Sequence, residues 1–138
     1  MAYWLMKTEP SVYSYDDLQR EKKATWDGVS NNLALKHLRT MKKGDEALIY
    51  HSGDEKSAVG VAEIVSSPYA DPKQNDARFV VVDIKPKRAL KRPVTLAEIK
   101  ADSTFTTFEL VRMPRLSVMP VSAERWKNIL HLSTSTAP

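Results

Sequence analysis

The residues best suited to chemistry in this chain lie together at Trp26-Asp27-Gly28-Val29, followed by Ser30, Asn31 and Asn32. An indole offers a flat face for stacking. The amides and hydroxyl beside it offer hydrogen-bond donors and acceptors, and Gly28 lets a backbone or a flat ligand approach closely. A nucleobase is held by this combination, with one face stacked and its edges read by hydrogen bonds. The same residues also fit a purely structural role, in which Trp26 plugs the core and Asn31 or Asn32 caps the next helix. Composition leaves both readings open.

Tyr50-His51-Ser52 sets a second aromatic and two polar tips at a strand end, a frequent place for sites in barrels. Lys7 follows the first strand, where it either reaches a phosphate or base carbonyl or is simply a solvated end. His51 and Ser52 beside Asp45 or Asp54 can be written as a triad. Neighbours in a strand point to opposite faces, however, and no Gly-x-Ser-x-Gly elbow is present. His37, His51 and His131 do not pair at ligand spacing and cysteine is absent, so neither a metal site nor thiol chemistry is expected. No Gly-x-Gly-x-x-Gly or Gly-Lys-Ser/Thr loop exists to cradle a pyrophosphate, and no cofactor is expected.

The chain carries 21 basic and 17 acidic residues, for a net charge of +4. That excess favours polyanionic partners without requiring them. Lys36 and Arg39, with Lys42 and Lys43, mark one face of a helix, and Lys85, Lys87 and Arg88 begin a second basic run that continues to Lys91 and Arg92. Both runs read either as solvated surface or as contacts to a phosphate backbone. Arg112 and Arg115 flank Pro114 and fit either phosphate binding or a role within the fold.

These residues need elements to position them. At 138 residues the chain fits one domain, here 1–132, with a loose tail over 133–138. Strands are expected at Tyr3–Met6, Glu46–His51, Ser57–Val65, Phe79–Lys85 and Leu116–Pro120. Helices are expected after Ser14, from Asn32 to about Met41, from the capping box Thr95-Leu96-Ala97-Glu98, and after Ser122 with Trp126, Ile129 and Leu130 buried. Strands without regular βαβ alternation point to an α+β domain with a curved sheet or barrel. The start of the chain lacks a signal-peptide pattern, and no run approaches the roughly 18 apolar residues of a membrane span, so a cytosolic protein without membrane contact is expected.

The motif Trp26-Asp27-Gly28-Val29 does not stand alone. With Tyr3 to Pro10, Tyr50-His51-Ser52, Val59 to Glu63, Arg92-Pro93-Val94 and Leu110 to Val118, it resembles the EVE-domain family of the PUA-like superfamily, in order across roughly residues 3 to 130. The resemblance implies a curved sheet or β-barrel core of about five or six strands wrapped by short helices, with a cleft between them. Related PUA-like domains, including the YTH readers, hold a methylated base in an aromatic cage. EVE domains are thought to bind modified bases in DNA or RNA. Carried onto this chain, the pocket would draw on Lys7, Trp26, Gly28, Val29, Asn31, Tyr50, His51, Ser52 and Arg112.

Three positions depart from the family pattern. Ser30 stands where an arginine is frequent, Asn32 where an aromatic is frequent, and Ile49 where a phenylalanine often precedes Tyr-His-Ser. Affinity or base preference is open to change at the first two. The expected function is a non-catalytic module that holds a modified base of RNA or DNA. In that reading Asn31 and Ser52 read the base edges, Lys7 or His51 stands at the rim, and Trp26→Ala abolishes binding without unfolding the chain. The alternatives are an enzyme acting on RNA through Lys7, Tyr50 and His51, and a protein-interaction adaptor.

Overall fold

A computed structural model of the chain describes residues 1–134. Seven strands form one mixed sheet: β1 (Tyr3–Thr8), β2 (Ala24–Trp26), β3 (Glu46–His51), β4 (Ser57–Ile64), β5 (Tyr69–Ala70), β6 (Val80–Thr95) and β7 (Val118–Val121). Their order is β2-β6-β4-β3-β1-β7, with β5 also on β6. Only β1 and β3 pair in parallel. β1 lies between β3 and β7, and its successive residues Trp4, Leu5 and Met6 are all buried. A strand covered on both faces carries such an unbroken apolar run. The sheet is curled, as expected, and the two strands beyond the five placed from the sequence are β2 and β5, three and two residues long.

β6 runs ten residues further than the expected end at Lys85. Pro86 and Pro93 cannot donate to a ladder, and the strand accommodates them by irregular pairing with β4, whose register shifts between Ala58 and Gly60 and between Val61 and Ala62. The prolines therefore bend the strand instead of ending it. At Gly60 the sheet also admits Tyr15, whose hydroxyl donates to the Val61 carbonyl at 2.7 Å.

Five helices surround the sheet: α1 (Tyr15–Glu21), α2 (Asn32–Thr40), α3 (Leu96–Ala101), α4 (Glu109–Arg112) and α5 (Ala123–Thr134), with a 3-10 turn at Ser103–Phe105. Ser14 caps α1 through a reciprocal pair, its hydroxyl accepting from the Asp17 N–H at 3.1 Å while the Asp17 carboxylate accepts from the Ser14 N–H at 2.8 Å. Thr95 caps α3, and Ser122 accepts from the Arg125 N–H at the start of α5. Trp126 and Ile129 are buried on α5, whereas Leu130 is only half-buried. α5 extends through Thr134, and Ser133 is buried with its hydroxyl donating to the Leu130 carbonyl. The expected loose tail is thus too long by two residues at its start, and 135–138 lie outside the described residues. No helix among the described residues is long and apolar enough to cross a membrane.

Asp45 ties the start of the chain to the sheet. Its carboxylate accepts from the Ala2 N–H at 3.0 Å, the Trp4 indole at 3.0 Å and the Lys42 N–H at 2.9 Å. Burial alone raises its pKa, but the three donors outweigh that effect and hold it below the ordinary aspartate value. A folded-state pKa below the unfolded one gives stability that is fully present above about pH 4 and is lost as pH falls through the folded value. Asp45→Asn turns an amide towards donors and is expected to cost about 1–3 kcal/mol at neutral pH. Urea midpoints should show this gap narrowing as the pH is lowered. A gap that stays constant down to the acid transition contradicts the assignment.

Candidate functional site

Where β1 ends, the sheet, the α1–β2 turn and the loop before α2 enclose an open recess of about 840 Å3. β1 contributes Lys7 and Thr8, and the next turn contributes Val12 and Tyr13. Glu21 comes from the end of α1, Lys23 from the turn that follows, and Thr25 and Trp26 from β2, and the loop Asp27 to Asn31 closes that side. Lys73 reaches in from the segment before β6, and Arg115 and Ser117 from the segment before β7.

Trp26 is the last residue of β2, paired with Val82 of β6. It is only 8% exposed and belongs to the core, yet it lines the recess. The indole is therefore wall and core at once. Asn31 likewise fills both roles weighed above: its carbonyl oxygen accepts from the Ala34 N–H at 3.0 Å and caps α2, and the residue lines the recess. The cap occupies the oxygen and leaves the amide N–H groups to face a ligand. Gly28 has φ +78° with open space where a Cβ would stand, so the left-handed turn, not crowding, calls for glycine.

Lys7 donates to the Pro114 carbonyl at 2.9 Å and stands 5.7 Å from the centre of the Tyr50 ring, its cross-strand partner on β3. Partial burial lowers its pKa. Tyr13 donates to Glu21 at 3.0 Å, and its pKa is pushed up to about 12, first by burial and then by the hydrogen bond and charge of Glu21. Tyr13 thus stays a hydroxyl donor throughout the neutral range. The second carboxylate oxygen of Glu21 is an acceptor at the same wall.

Four of the nine residues expected in the pocket are not among those lining it. Tyr50 is buried behind Lys7, where burial raises its pKa. His51 holds the start of α1. Its Nε2 accepts from the Tyr15 N–H at 3.0 Å, which leaves Nδ1 to donate to Glu55 at 2.9 Å. With both ring nitrogens engaged in the fold, His51 braces the start of α1. Ser52 donates its N–H to the Thr8 carbonyl and is not among the residues lining the recess. Arg112 is exposed on α4, while its neighbour Arg115 takes the place at the wall.

The basic runs are also elsewhere. Lys36 and Arg39 project from α2, Arg39 donating to the Arg78 carbonyl at 2.8 Å. Lys85, Lys87 and Arg88 are exposed on β6, with Lys87 paired to Glu46. The cations at the recess are instead Lys7, Lys23, Lys73 and Arg115. Lys73 pairs with Asp27 across 46 residues of sequence, a proximity that no local pattern reveals. The sequence offered Arg112 and Arg115 together as phosphate candidates, and of the two Arg115 lines the recess.

A curled sheet with one large recess between its edge and short helices defines a small binding domain. The chain belongs to the EVE domain family, whose model matches residues 2–132. Thymocyte nuclear protein 1 of Mus musculus is 34% identical, the match covering 94% of this chain and 73% of that protein. The solution structure of Rpa0253 from Rhodopseudomonas palustris superposes with a TM-score of 0.92 at 44% identity, covering 96% of this chain and 93% of the other. Human THYN1 protein, in a crystal structure with 5-methylcytosine-containing DNA, superposes with a TM-score of 0.89 at 30% identity, covering 99% of this chain and all of that one.

Proposed function

We propose that this chain is a non-catalytic reader that holds a modified nucleobase of DNA or RNA in the recess beside Trp26. The observation that carries the reading is the wall itself: an indole bordering open space, with four cations around it. A volume of about 840 Å3 falls within the range of small-ligand pockets, and human THYN1 was crystallised with 5-methylcytosine-containing DNA. Trp26 stacks the base, the Asn31 amide donates to its edge, and Glu21 or Asp27 accepts from an exocyclic amine such as that of cytosine. Lys7, Lys23, Lys73 and Arg115 hold phosphate, and Lys36, Arg39, Lys85, Lys87 and Arg88 extend the backbone contact outside the recess. The cytosolic setting expected from the sequence belongs to this proposal. The acid–base alternative is weaker, because His51 is committed to α1 and Glu55.

The test is a titration of labelled single-stranded oligonucleotides that differ in one cytosine or 5-methylcytosine. One added methyl contributes about 0.8 kcal/mol, near fourfold in affinity, if it is fully buried. Equal binding of the two, or none, overturns the reading for this modification. Arg115→Gln is expected to lower affinity for every sequence and to reduce the slope of log K against log salt by about 1. An unchanged slope removes Arg115 from the phosphate contacts.

A further inference from the structure

Val12 stands out among the residues of the recess because it is 80% exposed. A lone exposed valine elsewhere on a surface needs no explanation. This one lies on the lip of the recess, on a turn that cannot fold it away. The Val12 and Tyr13 N–H groups both donate to the Glu9 carbonyl at 2.9 Å, and the Thr8 hydroxyl donates to the Tyr13 carbonyl at 2.7 Å. A second exposed apolar side chain, Met113, is next to Pro114, the residue whose carbonyl receives Lys7. One exposed apolar side chain thus belongs to the lining of the recess, and another adjoins in sequence the residue that receives Lys7.

Resting on the reader function above, we propose that Val12 is a wedge that enters the base stack of a duplex and fills the gap left when the target nucleotide turns into the recess. A base inside a duplex cannot reach Trp26, which is nearly all buried at the recess wall. Extrusion breaks one pair and two stacking contacts. Without a filler the vacated space admits water or collapses, and either outcome favours return of the base. A small branched apolar side chain held on a rigid turn meets the neighbouring base faces and replaces part of that lost contact, as apolar wedges do in other duplex-binding proteins. The recess then serves duplex as well as single-stranded nucleic acid.

The test compares the wild-type chain, Val12→Ser and Val12→Leu on two DNA probes. One is a duplex with a single central 5-methylcytosine flanked by 2-aminopurine, and the other is the same strand alone. Val12→Ser is expected to bind the duplex about tenfold more weakly, to lose the rise in 2-aminopurine emission that reports unstacking, and to show a much smaller loss on the single strand. Val12→Leu keeps duplex binding. Because the side chain is exposed, the melting temperature of both variants stays at the wild-type value. Duplex binding that Val12→Ser leaves intact, or equal losses on both probes, overturns the wedge. A wild-type chain that binds the single strand but not the duplex overturns the wedge alone. One that binds neither probe overturns the reader function and the wedge together.

Discussion

Replacing Trp26 by leucine is expected to weaken single-stranded oligonucleotide binding by about tenfold to a hundredfold, since stacking a base on an aromatic contributes roughly 1–3 kcal/mol. Phenylalanine at the same position keeps a stacking face and should stay much closer to wild type. Leucine is a better test than alanine because the indole, at 8% exposure, is also part of the core. Trp26→Ala leaves a cavity at the end of β2 and costs about 3–5 kcal/mol of stability, which would confound a binding measurement. The expectation that alanine removes binding without disturbing the fold is therefore corrected. Affinities should be measured by anisotropy well below the melting temperature of each variant, with circular dichroism as the check on folding. If phenylalanine loses as much as leucine, stacking is not the source of the affinity.

Gly60→Ala should lower the melting temperature by roughly 5–15 °C. An added Cβ would lie 2.3 Å from Tyr15 Cζ and 2.5 Å from both ring Cε atoms. The ring cannot yield cheaply, because its hydroxyl is bonded to the Val61 carbonyl and its backbone N–H to His51. Displacing it pulls at the start of α1, the helix whose far end supplies Glu21 to the recess. Tyr15→Leu in the Gly60→Ala background should recover part of the loss by relieving the overlap. A Gly60→Ala chain that melts with the wild type would mean that Tyr15 has another place to go.

Much of the scaffold was legible in the sequence because its signals are local. The apolar runs of β1 and β3 and the side-chain caps at Ser14, Thr95 and Ser122 each sit within a few residues of the structure they specify. β2 and β5 escaped because two or three residues are too few to show alternation. The length of β6 escaped because Pro86 and Pro93 limit regular pairing, whereas register shifts with β4 absorb them. The same distinction runs through the site. Trp26, Gly28, Val29 and Asn31 are consecutive enough to be seen as one constellation, and all of them line the recess. Lys23, Lys73 and Arg115 come from separate segments that only the sheet brings together. Tyr50-His51-Ser52 has the composition of a site, but strand pairing and the Tyr15 N–H decide where those side chains are used.

The pairing of β1 with β7 has a consequence for how the chain comes into being. Lys7 and Trp26 are made before Arg115 and Ser117, which follow some ninety residues after Trp26, and the Lys7 N–H must wait for the Ser117 carbonyl. A polypeptide that stops short of β7 therefore has only part of the recess wall, with one edge of β1 unpaired. The recess is whole only once β7 has been made and closes against β1.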